Sequence, residues 1–228
     1  MSRPSNAGPP RLTPMALACD FEGSDAPDTP RARLLAAPAG EPNAPEATRA
    51  AARQAARAAL AAAIARELGC APGALVISDR RGAPPRATLA ASAPADAGLA
   101  ARLAAMGLSI GHAPGLSLIA WHTGGAVGVD VQAVPRAAPV PDLLRTAALY
   151  LGPDTATTLA RQAQDASIFE AFTRAWTLHE ARLKCAGQPL VEWTPALGQA
   201  LATLHAVPLH LPPWAAPKYA AALAWPPH

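Results

Sequence analysis

The amino-acid sequence predicts an α+β fold, because long helical segments stand between groups of short strands. The clearest helix is the alanine-rich run at 44–68, and a second long helix is expected at 167–186. The clearest strands are LSLIAWH at 116–122 and AVGVDVQ at 126–132, which are joined by the residues TGG. A short connection with glycine between two alternating runs is typical of a hairpin, so at least one antiparallel pair is expected.

The shorter elements are assigned from weaker patterns of apolar residues, glycines and prolines. A short helix is possible at 30–37, and helices are expected at 95–105, 141–151 and 152–164. Further strands are predicted at 15–21, 74–79, 200–211 and 218–225.

The composition is that of a globular chain with a low density of charge. Of the 228 residues, 51% are hydrophobic, 4% are aromatic and 15% are charged. This length allows one large domain or two small ones. The 26 prolines indicate proline-rich loops, since they exceed twice the ordinary share. The formal net charge of +3 is too small to indicate nucleic acid by itself, but it suits an anionic ligand or an acidic partner.

The chain is expected to consist of a tail and two halves. Residues 1–14 are rich in proline, serine and glycine, which predicts a disordered tail. The N-terminal half is placed at 15–132 and the C-terminal half at 142–228. Between them, the proline-rich stretch 133–141 is the candidate connector.

The cysteines and the apolar segments predict the cellular setting. Cys19, Cys70 and Cys185 form neither a CxxC motif nor a metal-ligand spacing, so reduced thiols are expected. The N-terminus lacks the apolar core of a signal peptide, and no segment has the apolar length needed to cross a bilayer. The expected protein is a cytoplasmic monomer without a membrane or nucleic-acid partner.

Two groups of arginines have two possible interpretations. Arg49, Arg53 and Arg57 recur every four residues and form a basic stripe on the first long helix. A solvated helix face is the better explanation of such a stripe taken alone, and an anion-facing surface is the alternative. The turn RRGAPPR at 80–86 could grip a phosphate or be an exposed loop, and the sequence alone favours the loop.

The second long helix carries Trp176, Glu180 and Lys184 at four-residue spacing, so that they line one strip of its surface. A glutamate four residues before a lysine is the favoured order for a helix ion pair, which contributes about 0.2–0.5 kcal/mol. Taken alone, this weak pair is the better explanation of Glu180 and Lys184.

Asp130 is unusual because its valine neighbours predict a buried strand, where aspartate is depleted. A buried carboxylate has to be paired, hydrogen-bonded or bound to a cation. Gly128 and Gln132 share its face of the strand, since strand side chains alternate. Gly128 is expected to leave space above the sheet, and Gln132 offers a carbonyl oxygen to a cation such as Mg²⁺. The alternative is a structural aspartate that caps a turn or pairs with an arginine.

His112 stands in LSIGHAPG, immediately before the predicted hairpin. A lone histidine between glycine and Ala-Pro is more typical of a loop hydrogen bond than of a catalyst. Its proximity to Asp130 is expected because it enters the same hairpin.

Taken in order, these motifs resemble a known family. VGVDVQ followed by FTRAWTLHEARLKCAG resembles the paired signature of 4′-phosphopantetheinyl transferases of the longer, Sfp-like type. The similarity covers about residues 44 to 225, and it includes four further segments: LSIGHAPG, ISDRRGAPPR, YLGPDTATTLAR and KYAAALAW.

The resemblance implies both a fold and a reaction. The implied fold has two similar α/β halves related by a pseudo-twofold axis, with coenzyme A at their junction. The implied reaction transfers 4′-phosphopantetheine from coenzyme A to a serine of an apo acyl or peptidyl carrier protein, and it releases 3′,5′-ADP. This reaction consists largely of positioning and charge neutralisation.

The resemblance also implies roles for individual residues. Asp130 and Glu180 would hold Mg²⁺, with Gln132 as a further ligand. Glu180 would take the proton of the carrier serine, and Lys184 would contact a phosphate oxygen. The residues expected to bind coenzyme A are His112, Lys184, Arg81, Arg86, Arg49 and Arg53.

Four positions depart from the family pattern. Gln132 replaces a carboxylate that is usual in bacterial members, and Gly111 replaces the serine beside the family's histidine. His179 and Ala83 each stand where the family commonly has lysine. The alternative function is therefore a non-catalytic homologue that binds coenzyme A or a carrier protein.

Overall fold

The computed structural model describes most of the chain, with short gaps. The described residues are 19–21, 29–36, 45–71, 73–80, 82–163, 167–216 and 218–227. The predicted tail at 1–14 and Arg81 lie outside them. Within these ranges, no helix has the length and apolarity needed to cross a membrane.

Helices and short antiparallel strands are mixed along the described part of the chain, which confirms the predicted α+β class. In chain order the elements are β1 (Cys19–Phe21), β2 (Arg31–Ala36), α1 (Pro45–Leu68), β3 (Leu75–Ile77), β4 (Ala87–Leu89), α2 (Ala97–Ala105), β5 (Gly107–Ala113), β6 (Leu116–His122), β7 (Gly128–Ala133), α3 (Val140–Tyr150), α4 (Pro153–Arg161), α5 (Ile168–Cys185), α6 (Pro195–Ala202), β8 (His205–Pro208) and β9 (Tyr219–Trp225).

Two antiparallel sheets carry most of the strands. The first has the order β1-β2-β6-β5 and the second has the order β7-β9-β8, while β3 and β4 pair with each other. In the first sheet, the chain runs from β2 through the long helix α1 to β5 and β6, and β6 lies between β2 and β5. In the second sheet, it runs from β7 through the long helix α5 to β8 and β9, and β9 lies between β7 and β8.

The predicted hairpin between 116–122 and 126–132 is wrong. Strand β6 pairs with β5, with Ala113 opposite Leu116, and it pairs with β2 on its other side. Strand β7 pairs with β9 of the second sheet. Since β6 already has a neighbour along each edge, the short connection after it leads to another sheet. The same observation places His112 on strand β5, not in a loop.

Two of the shorter predictions also differ from the structure. The possible helix at 30–37 is a strand, Arg31–Ala36, because its backbone pairs with β6 along its length. The predicted strand at 200–211 starts too early, since helix α6 continues to Ala202 and the strand occupies only His205–Pro208. In both places tertiary pairing outweighs a short local pattern.

The connection between the two sheets lies at 123–127, between β6 and β7. The proline-rich stretch 133–141 instead joins β7 to α3. The division of the chain into halves at this stretch stays a prediction.

Each large sheet is covered by one long helix. Leu60 and Ile64 of α1 are fully buried and belong to one core cluster with Ile119 and Trp121 of β6. Ala181 and Cys185 of α5 are buried in a cluster formed largely of small residues. The small side chains allow the helix to lie close to the second sheet.

Gly128 marks the closest approach of α5 to β7. A Cβ atom at this position would collide with the carbonyl oxygen of Ala181 and would lie 2.5 Å from the amide nitrogen of Cys185. The expectation that Gly128 leaves space above the sheet is therefore wrong, because helix α5 fills that space.

We expect Gly128→Ala to reduce the free energy of unfolding by about 2–3 kcal/mol, because the helix has to move away from the strand. Urea denaturation of the two proteins measures this difference. Gly98→Ala is the matched control, since a Cβ there meets only Asp96 Oδ1 at 3.4 Å, and no loss is expected. Equal stability of Gly128→Ala and the wild-type protein would contradict the close packing.

Candidate functional site

The candidate site lies where strand β5 of the first sheet packs against strand β7 of the second. The amide of Val129 donates a hydrogen bond to Ser109 Oγ at 3.0 Å, and both residues are buried. A Cβ at Gly111 would lie 3.2 Å from the nitrogen of Val131 and 3.3 Å from Cα of Asp130. The absence of a side chain at Gly111 thus lets the two backbones approach beside the carboxylate.

Asp130 is 3% exposed, and both of its carboxylate oxygens accept hydrogen bonds. Lys184 Nζ donates to Oδ1 at 2.8 Å and also to the carbonyl oxygen of Val129 at 3.0 Å. Gln132 Nε2 donates to Oδ2 at 3.0 Å. The buried charge is therefore paired, as its desolvation requires. Lys184 forms its ion pair with Asp130 and thereby joins helix α5 to strand β7. The weak pair with Glu180 within the helix is therefore not the explanation of Lys184.

Glu180 lies one helical turn before Lys184 and is half-buried. Burial raises the pKa of Glu180, the negative charge of Asp130 raises this pKa further, and the positive charge of Lys184 lowers it. Glu180 and Asp130 therefore act on each other electrostatically, although they are on different elements. No hydrogen bond to the Glu180 carboxylate comes from any residue that the structure describes. A carboxylate with a raised pKa is a better proton acceptor than an ordinary one.

Two carboxylates that repel each other form a donor set that suits a hard divalent cation. Mg²⁺ takes oxygen ligands and usually keeps several waters, so one or two carboxylates can hold it. In the described ranges, no group of three or more His, Cys, Asp or Glu residues is placed to hold a metal. The amide nitrogen of Gln132 donates to Asp130, so the carbonyl oxygen of Gln132 stays available as a further metal ligand. Asp130 and Glu180 are therefore the candidate ligands of such a cation, which would have to compete with Lys184 for Asp130.

A basic cavity of about 380 Å³ lies beside strand β5. Arg53 and Arg57 reach it from α1, and Arg80 reaches it from the segment after β3. Arg57 is held in place by an ion pair with Asp79 and by a hydrogen bond from its Nε to the carbonyl oxygen of Ser78 at 3.3 Å. The arginine stripe therefore faces a cavity over part of its length, which favours the anion-facing interpretation.

The other predicted arginines are placed differently. Arg49 is exposed on α1, and Arg86 is exposed with its backbone amide donating to Ser78 Oγ at 3.0 Å. Neither residue lines the basic cavity, whereas Ala83 does. Arg80 lines the cavity and was missed, although it stands next to Arg81 in the arginine-rich turn that the sequence indicated.

His112 lines the same cavity, and its Nδ1 lies 2.8 Å from Ser117 Oγ across the β5–β6 hairpin. The ring keeps contact with solvent, yet partial burial lowers the pKa of His112 to about 4, together with the positive charges of Lys184, Arg53 and Arg57. His112 is therefore neutral at pH 7. The charge of Lys184 thus acts on a residue of the basic cavity, which links the cavity electrostatically to the pair formed by Asp130 and Lys184.

Trp176 has a structural role, although it shares a strip of the helix with Glu180 and Lys184. Its ring stacks on Phe172 with centroids 5.9 Å apart and meets the edge of Tyr150 at 5.8 Å. These contacts hold α5 against α3.

The assembled site combines a buried carboxylate, a half-buried carboxylate with a raised pKa, a lysine paired with the buried carboxylate, and a cavity lined by arginine and histidine. Such a site can bind a polyanion and accept a proton beside it. Comparison with known proteins finds no family model and no curated protein that matches this chain.

Proposed function

We propose that the chain is a 4′-phosphopantetheinyl transferase that modifies a serine of an apo acyl or peptidyl carrier protein and releases 3′,5′-ADP. One observation carries the proposal: Lys184 joins buried Asp130 to the helix that bears Glu180, and its charge acts on His112, which lines the basic cavity. Phosphoryl transfer needs mainly positioning and neutralisation of charge, and this arrangement supplies both.

Coenzyme A is the proposed donor, and its phosphates would occupy the basic cavity. Arg53, Arg57 and His112 line that cavity and are suited to phosphate oxygens. Arg80, which lines the cavity, and Arg81 and Arg86 of the same turn are the proposed contacts of the 3′-phosphate, and Arg86 would have to turn toward the cavity to reach it.

The proposed chemistry uses three side chains. Asp130 and Glu180 would hold Mg²⁺, which when bound neutralises the pyrophosphate of coenzyme A. Glu180 accepts the proton of the carrier serine, whose oxygen forms the new bond to phosphorus as the bond to 3′,5′-ADP breaks. Lys184 moves from Asp130 to the departing phosphate and stabilises the negative charge that develops there.

The fold supports the proposed pseudo-twofold arrangement of two similar halves. In both large sheets a strand precedes a long helix, two strands follow, and the last strand lies in the middle. The proposed coenzyme A site would lie where the two large sheets meet, beside the contact between β5 and β7. Cys70 and Cys185 are free thiols, which supports the proposed cytoplasmic setting.

The direct test is incubation of the purified protein with coenzyme A, Mg²⁺ and several apo carrier proteins. We expect the carrier to gain the mass of one phosphopantetheine group, detected by intact-protein mass spectrometry. A carrier with its acceptor serine replaced by alanine is the control and should gain nothing. No gain on any carrier would overturn the proposal.

The second candidate is a non-catalytic homologue that binds coenzyme A or a carrier protein. It is favoured by the two protein donors, Lys184 and Gln132, that already bind the Asp130 carboxylate. Saturable binding of coenzyme A without transfer would support this candidate over the enzyme.

We expect coenzyme A to bind more tightly as the pH falls, because bound phosphates favour the protonated ring of His112, whose pKa is lowered first by burial and then by the positive charges of Lys184, Arg53 and Arg57. If binding returns this pKa from about 4 to the ordinary value of about 6.5, affinity rises about fourfold between pH 7.5 and pH 6. Calorimetric titration at the two pH values measures the change. His112→Gln removes the titrating ring, and the difference between the two proteins isolates its effect. Identical pH profiles would exclude His112 from the phosphate site.

A further inference from the structure

Ser117 is the cross-strand neighbour of His112 in the β5–β6 hairpin, and it brings a buried hydroxyl to the histidine ring. Its Oγ lies 2.8 Å from Nδ1 of His112, and the serine is 2% exposed. Because strand side chains alternate, Ser117 shares its face of β6 with Ile119 and Trp121, which belong to the core cluster that includes α1. The hydroxyl is therefore a polar group on an otherwise apolar face.

The surroundings of this hydroxyl indicate that it serves the histidine ring and not the packing of the sheet. On its other side Ser117 is opposite Leu35 of β2, which is buried in the same core cluster. In the described part of the chain, His112 is the hydrogen-bond partner of the Ser117 side chain. A buried hydroxyl needs such a partner, whereas an apolar side chain would suit this position without one. The hydrogen bond to Nδ1 therefore accounts for a hydroxyl here.

The pair with Ser117 leaves one ring nitrogen of His112 for a ligand. No hydrogen bond with Nε2 comes from any residue that the structure describes, and this atom is not buried. The two nitrogens point to different sides of the ring, so Nε2 points away from Ser117. The ring lines the basic cavity together with Arg53 and Arg57. Of its two nitrogens, Nε2 is therefore the one that can meet an anion there.

We propose that Ser117 is a positioning residue for His112: when an anion is bound, the hydroxyl donates to Nδ1 and thereby keeps the proton of the neutral ring on Nε2, toward a phosphate oxygen. A neutral imidazole has one N–H, and the hydrogen bond at one nitrogen decides the state of the other. A carbonyl oxygen in the place of this hydroxyl could only accept, so it would hold the proton on Nδ1 and leave a bare Nε2 against the phosphate. The hydroxyl can also accept, so the hydrogen bond persists when both nitrogens are protonated.

This inference rests on the proposed role of His112 in phosphate binding, but not on transfer to a carrier protein. Inorganic pyrophosphate is therefore the probe, because it has the phosphate groups of coenzyme A and needs no carrier. The mass gain of the carrier tests the transferase, whereas the binding of pyrophosphate tests the role of Ser117. The two proposals can thus fail separately.

The first measurement is the long-range proton–nitrogen NMR spectrum of the histidine rings with saturating pyrophosphate at about pH 7.5, where an ordinary histidine is neutral. Comparison with His112→Gln assigns the resonances of His112. We expect the proton on Nε2, and we expect the bare Nδ1 resonance to move to lower field in Ser117→Ala because its lone pair loses a donor. A proton held on Nδ1, an unmoved Nδ1 resonance or no saturable response at His112 would each overturn the proposal.

The second measurement is affinity. Ser117→Ala should weaken the binding of pyrophosphate about fivefold, because the hydrogen bond that orders the ring is lost. In the transfer assay the same variant should raise KM for coenzyme A by a similar factor and leave kcat unchanged, as expected for lost uniform binding. Ser117→Thr keeps the hydroxyl and suits a strand, so its affinity should stay within about twofold of the wild-type value.

Thr173→Val is the matched control, because it removes a buried hydroxyl that donates to the carbonyl oxygen of Phe169 and does not line the basic cavity. Its affinity should also stay within about twofold. Equal losses in Ser117→Ala and in either Ser117→Thr or Thr173→Val would show a general effect of packing and overturn the proposal. If His112→Gln weakens binding and Ser117→Ala does not, the phosphate site stands and the positioning role is wrong.

Discussion

Asp130→Asn is expected to reduce phosphopantetheine transfer about 10³-fold while the protein stays folded, which corresponds to about 4 kcal/mol of lost transition-state stabilisation. Under the proposed function, the substitution removes the charge that holds Mg²⁺ and that positions Lys184. The asparagine oxygen can still accept from Lys184, so the stability should fall by only about 1 kcal/mol. Initial rates of carrier modification, with urea denaturation alongside, measure both effects.

Asp154→Asn is the matched control, because Asp154 is exposed at the start of α4, far along the chain from the site. It should retain the full rate. Glu180→Gln should also lower the rate strongly, since it removes the proposed proton acceptor without changing the shape of the side chain. Full activity of Asp130→Asn would show that the metal is held elsewhere or that the proposed reaction is wrong.

Lys184→Met is expected to have the largest effect on stability, about 3 kcal/mol. Asp130 is 3% exposed, and removal of Lys184 leaves this carboxylate with Gln132 as its remaining side-chain donor. Breaking a buried ion pair from one side costs more than the pair contributes, because the remaining charge has lost its compensation. The methionine fills much of the volume of the lysine stem, so packing changes little.

The double variant Asp130→Asn/Lys184→Met separates the charge effect from packing. Because it removes both charges, we expect it to recover all but about 1 kcal/mol of the wild-type stability. Denaturation of the wild-type protein, the two single variants and the double variant completes the cycle. Arg174→Met is the control on the same helix, since Arg174 is exposed and pairs with Glu170. If Lys184→Met loses no more stability than Arg174→Met, a structural role for the pair of Asp130 and Lys184 is contradicted.

The long helices were predictable because their signal is local. The expected helices at 44–68 and 167–186 correspond to α1 at Pro45–Leu68 and α5 at Ile168–Cys185. Apolar residues at helical spacing determine which face is buried, and Leu60 and Ile64 are indeed fully buried. Each of these features depends on residues a few positions apart.

Strand pairing was harder to predict because neighbours in a sheet come from distant parts of the chain. The alternating runs around TGG were assigned as strands correctly, but their pairing with each other was wrong. The two-residue turn at Pro114 and Gly115, where Gly115 has a φ of 76°, forms the hairpin instead. Its glycine adopts the left-handed conformation that such a turn requires.

The valines around Asp130 predict from local pattern alone that this carboxylate is buried and needs a partner, since a charged side chain cannot leave water uncompensated. The identity of that partner follows from tertiary packing. Lys184 lies 54 residues away along the chain and reaches Asp130 because α5 packs on β7 at Gly128. The same packing places His179 and Arg182 on the other face of α5, where they line a second cavity of about 190 Å³. Burial follows from local periodicity, but the partner of a buried charge depends on which surfaces meet.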